Sequence, residues 1–162
     1  MTYSTELANM VKQYYDQEEW HYEFKEEHGF YTGGINIGGK LKSVHFLLSV
    51  KEDYVINYTQ MDLRVDEDTR QAVSEYLTRA NYGLNLGCFE MDFSDGEVRY
   101  RMVTWKEEMK KDLDNAMSLT MIIPCKMFER YGDGLLAVMF GVATPEEAIA
   151  KANALVEAME YI

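Results

Sequence analysis

The sequence predicts an α+β domain in which helices pack on one antiparallel sheet, in the order α-β-β-β-α-β-β-α-α. Three observations predict it. Apolar residues recur at three-and-four spacing near both ends of the chain, they alternate with polar residues through the middle, and turn-forming glycines and aspartates separate the alternating runs. At 162 residues, with 47% hydrophobic and 27% charged residues, the chain has a globular composition and the length to bury a substantial core. No linker, repeat or low-complexity tract divides it, so residues 1–162 are read as a single domain.

Leu7, Met10, Val11, Tyr14 and Tyr15 form the stripe of a first helix. From Trp20 the period drops to two, with Trp20, Tyr22 and Phe24 on one face of a strand. Glycines at 33, 34, 38 and 39 predict an irregular strand between Phe30 and Lys40. Two strong strands follow, joined by a three-residue loop at Lys51, Glu52 and Asp53 that would set Val50 opposite Tyr54, Leu48 opposite Ile56 and Phe46 opposite Tyr58.

Asp66, Glu67 and Asp68 open a second helix, with Asp66 as its cap and Ala72, Val73, Tyr76, Leu77 and Ala80 as its inward stripe. A second hairpin turns at Asp95-Gly96. A two-residue turn there pairs Phe93 with Val98, Met91 with Tyr100 and Phe89 with Met102, and on the other face Asp92 with Arg99 and Glu90 with Arg101. Beyond Trp105, Leu113, Ala116, Met117 and Thr120 fall at helical spacing, Pro124 is expected to kink or interrupt the helix, and Gly132 to Gly134 reads as a joint. The last helix carries the strongest start signal: Thr144 caps, Pro145 takes the first position and Glu147 completes a capping box. Ala148, Ala152, Leu155, Val156 and Met159 form its expected buried side.

Sixteen Lys and Arg against twenty-eight Asp and Glu leave a net charge of −12, which repels phosphate backbones and anionic lipid. No nucleic-acid or membrane partner is expected. The absence of a long apolar run or a basic-then-apolar leader points to the cytoplasm. Cys88 and Cys125 lack neighbouring cysteines and read as reduced thiols.

Motifs that suggest chemistry fail on their surroundings. Gly34 to Lys40 matches G-x-x-x-x-G-K, but Leu41 replaces the magnesium-binding hydroxyl and a strand, not a helix, follows. His21 and His28 lie among Glu18, Glu19, Glu23, Glu26 and Glu27 without metal-site spacing. The run from Asp92 through Gly96 lacks the distal Glu of a calcium loop. No catalytic residue, metal ligand or cofactor site is assigned. Of the eleven methionines, most are assigned to the core, and the rest would suit an adaptable contact surface.

Asn81, Leu84, Gly87, Phe89, Glu90, Asp92, Gly96, Glu97, Val98, Arg99, Tyr100 and Arg101, with Gly141, Pro145, Glu146 and Ala148, resemble the YbjN-domain family. The resemblance runs from Leu7 to Ala158 and is dense around the second hairpin. It implies a bacterial regulator of sensory transduction, a fold similar to type III secretion chaperones, and often a dimer. It implies no catalytic residue.

Leu47, Val55, Met61, Val103 and Trp105 are expected on the sheet face opposite the core, where apolar side chains call for a cover. They form the candidate partner or dimer surface. The function expected is therefore non-enzymatic: a regulatory or chaperone-like domain that binds a protein or peptide, with its acidic rim favouring basic segments. A sensor or enzyme using a helix–sheet cleft is the second reading, and a pure oligomerisation unit the third.

Overall fold

A computed structural model describes the backbone of residues 2–160 and their side chains, apart from those of 156 and 158–160. Helix α1 (Thr5–Gln17) starts where the Leu7 amide donates to Ser4 Oγ at 3.2 Å, and its stripe of Leu7, Val11, Tyr14 and Tyr15 is buried. Four strands follow rather than the three of the predicted order: β1 (Glu23–Lys25), β2 (Phe30–Asn36), β3 (Ser43–Val50) and β4 (Tyr54–Gln60). The chain reaches α2 (Arg70–Asn81) through a 3-10 turn, Glu67–Thr69, and Asp66 makes no side-chain capping bond there. Strands β5 (Cys88–Met91) and β6 (Val98–Trp105) precede α3 (Lys106–Lys111), α4 (Leu113–Met139) and α5 (Pro145–Glu160). All pairings are antiparallel in one six-stranded sheet, ordered β1-β2-β3-β4-β6-β5.

The hairpin between β3 and β4 corrects the predicted register by one residue. Val50 pairs with Val55, Leu48 with Asn57 and Phe46 with Thr59, because the Lys51 amide donates to the Tyr54 carbonyl at 2.9 Å and closes a turn with Glu52 and Asp53 at its tip. A one-residue slip reverses every side chain of β4. Val55, Asn57, Thr59 and Met61 thus face the helices, and Tyr54, Ile56 and Tyr58 face outward. The second hairpin shifts by two, which preserves its faces: Met91 pairs with Val98, Phe89 with Tyr100 and Glu90 with Arg99. Its loop is longer than the expected two residues. The Asp92 amide donates to Glu97 O and the Gly96 amide to Asp92 O, and Gly96, at φ +77°, lets Val65 approach close enough for the Val65 amide to bond its carbonyl at 2.9 Å. A Cβ on Gly96 would lie 2.1 Å from Val65 O.

Two apolar clusters sit under the helices, one built on α1, β3 and the first half of α4, the other on α2, β5, β6 and the rest of α4 with α5. β4 runs along their seam. Asn57 stands in register between Leu48 and Met102, and Thr59 between Phe46 and Tyr100. Both are fully buried.

Helix α4 runs unbroken for 27 residues through Pro124 and both glycines, against the expected interruption and joint. Pro124 has no amide to donate to the Thr120 carbonyl, and Asn57 Nδ2 donates to that oxygen instead, at 3.0 Å. The glycines serve close packing. A Cβ on Gly134 would lie 2.4 Å from the Tyr76 hydroxyl, which donates to Tyr131 O at 2.7 Å, and one on Gly132 would lie 2.7 Å from Leu41 Cδ1.

The capping box at α5 forms as predicted, with the Glu147 amide donating to Thr144 Oγ1 at 3.2 Å and the Thr144 amide to Glu147 Oε2 at 3.1 Å. Ala148 and Ala152 are buried, but Leu155 is exposed, while Val156 and Met159 lie outside the described side chains.

Candidate binding surface on the open sheet face

The helices that build the two clusters draw on one set of alternating sheet positions, and the other set faces away from them. That outer face is ordered by the ladder. Thr32, Leu47, Tyr58, Arg101 and Cys88 form one cross-strand row; Phe30, Ser49, Ile56 and Val103 form the next; Tyr54 and Trp105 pair beyond them. Tyr54 and Trp105 rings stand 5.2 Å apart. Leu47 is half-buried, Val103 is 38% exposed and Trp105 51% exposed.

Three of the five predicted surface residues, Leu47, Val103 and Trp105, therefore share this face. Val55 and Met61 do not. The corrected register turns both into the core, where they are 0% and 3% exposed. In their place stand Tyr54 and Tyr58, both half-buried, and Ile56, which its neighbours cover to 8% exposure; the expected register puts all three on the core face. A two-residue turn at Glu52-Asp53 would have found them, but it required burying Asn57 and Thr59, a cost that α4 alone explains.

Methionine adds less to the surface than its abundance suggests. Met61, Met102, Met109, Met117, Met121 and Met139 are all buried. Charge on the face is paired: Arg99 stacks over the Tyr58 ring at 4.1 Å and reaches Glu90 at 2.6 Å, and Arg101 reaches the same carboxylate at 3.2 Å. Glu90 thus serves two arginines, not Arg101 alone.

The decoy motifs are occupied from within. The Gly38 amide donates to Glu129 Oε1 at 3.0 Å and the Lys40 amide to Asp133 Oδ1 at 2.8 Å, so carboxylates of α4 hold the donors a phosphate would need. The Gly38 amide also holds the Glu129 carboxyl below its ordinary range. Asp92 accepts from the Ser94 hydroxyl and amide, which lower its pKa. Among the described residues no group of three or more His, Cys, Asp or Glu is placed to hold a metal ion. Both cysteines are free, and burial pushes the Cys125 thiol up to about 11. Burial likewise raises Tyr100 to about 12. No helix among the described residues is long and apolar enough to cross a membrane.

These features define a class: α+β domains whose antiparallel sheet carries its helices on one side and, among the described residues, has no element packed on the other. Residues 7–113 match the model of a family described as "YbjN: Putative bacterial sensory transduction regulator". The chain belongs to the YbjN family. The match ends as α4 begins, short of the resemblance at Gly141 to Ala148. No curated protein and no solved structure matches the chain.

Proposed function

We propose that this chain is a non-enzymatic regulatory domain that acts in the bacterial cytoplasm by binding a protein or peptide at its open sheet face. The observation that carries the reading is the open face itself, where Val103 and Trp105 are exposed and Leu47 and Tyr58 half-buried, an apolar field across three strands. Soluble domains seldom leave such a field uncovered. Covering it would stabilise a complex by about 25 cal/mol per Å² of apolar area, before the cost of ordering both partners. The net charge of −12 steers approach toward basic segments. The reading of a cleft-based enzyme or sensor draws less support, since the displaced ionisations belong to core tyrosines, a buried thiol and paired surface groups.

The test is in-cell crosslinking with a photoreactive residue at Trp105, and a control probe at Gln71 on the exposed side of α2. One protein captured at the first position and not the second, and released when Leu47 is replaced by Asp, supports the proposal. Adducts of the chain only with itself would transfer the face to the oligomerisation reading.

A further inference from the structure

Strand β6 runs eight residues but β5 only four, so among the described residues β6 from Met102 to Trp105 has no strand beside it on one edge. The ladder shows which backbone groups point into the gap. The Asp92 amide donates to Glu97 O at 2.9 Å, extending the β5 ladder through odd-numbered residues, and the Lys106 amide donates to Asp53 O at 2.9 Å, extending the β4 ladder through even-numbered ones. Val103 therefore aims both its N–H and its C=O at the open edge. The Trp105 amide points the same way and is taken by Glu108 Oε2 at 3.0 Å. Among the described residues, Val103 has no such partner.

Contrast the guarded position on β5. There the Asn81 side chain closes the edge at Phe89, its Nδ2 donating to Phe89 O at 2.8 Å and its Oδ1 accepting the Phe89 amide at 2.7 Å. Beside Val103 lies instead a hollow of about 460 Å³, walled by Leu86, Met102, Ala116 and Leu119 and rimmed by Glu108, Lys111 and Asp112.

We propose that the open half of β6 receives an extended segment of a partner protein as an added strand. Val103 exchanges both of its backbone hydrogen bonds with the segment, an apolar side chain of the segment enters the hollow, and basic flanking residues answer the net charge of −12. The inference rests on the binding function proposed above and specifies its mode. A second copy of this chain is a poor occupant: edge-to-edge pairing about Val103 would set Trp105 and Lys106 of one copy where β5 of the other already lies.

The experiment selects binders from a displayed peptide library against the purified chain and reads three properties of the winners. Amide exchange at Val103 should slow on peptide binding. Val103→Pro removes the unpaired donor at an edge where proline is tolerated, and should weaken binding by about tenfold while leaving the urea midpoint nearly unchanged. Methylating alternate peptide nitrogens should abolish binding in one phase and spare it in the other, a readout that needs no variant of the protein. Peptides that bind but are indifferent to Val103→Pro and to methylation phase overturn strand addition and leave the binding function standing. Protection appearing at Gly34 on β2, beyond the end of short β1, or at Val103 without peptide as protein concentration rises, overturns it as well. A library that yields no binder also overturns it, with the Trp105 crosslink then deciding the broader reading.

Discussion

Asn57 donates to the Thr120 carbonyl at 3.0 Å, the oxygen that Pro124 leaves without an intrahelical donor. A side chain on the sheet thus completes the hydrogen bonding of the helix above it. Thr120 Oγ1 meets Thr104 Oγ1 and the Ala116 carbonyl, each at 2.6 Å, so a small polar cluster fills the seam between the two apolar clusters.

Replacing Asn57 with Leu leaves the Thr120 carbonyl buried without a donor, a cost of about 1–3 kcal/mol that removal of Asn57 Oδ1, itself buried without a partner, partly offsets. In a Pro124→Ala background the restored amide answers that carbonyl, and the same substitution should cost much less. Urea unfolding of the four proteins in this cycle checks the claim. Strictly additive losses would sink it.

The register of β4 predicts an ordering of stability losses. Met61→Ala removes a core side chain and should cost about 2–5 kcal/mol, whereas Trp105→Ser acts on an exposed ring and should cost about 1 kcal/mol or less. Equal losses would mean that Met61 does not face the core.

Glycine in α4 is required by space. Gly134→Ala should drive the Tyr76 hydroxyl away from Tyr131 O and destabilise by about 1–3 kcal/mol, although alanine is the better helix former. Pairing it with Tyr76→Phe, which removes the hydroxyl, should recover part of the loss. Thermal unfolding of both proteins gives the comparison.

Glu6 ties α1 to α3 through Lys106 at 2.7 Å and Lys110 at 2.8 Å, and these two ammonium groups lower its pKa from 4.5 to about 2. Because the folded pKa is depressed, the contribution is present above about 4.5 and disappears as pH falls toward about 2. Glu6→Gln should flatten that part of the acid limb in a pH series of denaturation midpoints and leave the remainder in place. An unchanged limb would show the bridge to be without effect on folding.

Much of the fold was legible because it rests on local chemistry. The Thr144 box at α5 forms from contacts within one turn, and the stripe Val73, Tyr76, Leu77 and Ala80 of α2 follows from helical spacing alone. The face of the second hairpin survived a two-residue register error, since a shift of two returns each side chain to the same side. The first hairpin had no such protection. Its error was one residue, and it placed Val55 and Met61 outward and Tyr58 inward.

The sequence by itself determined the α+β class, the apolar stripes of α1 and α2, the Thr144 cap of α5 and the charge, since each depends on residues within a few positions of one another. Only the tertiary structure decided which face of β4 is buried, whether α4 passes through Pro124, and where a backbone edge stands open. Those outcomes depend on partners far apart in the chain: Asn57 answers Thr120 across 63 positions, and hydrophobic alternation carries no information about a hydrogen bond whose acceptor lies on another element.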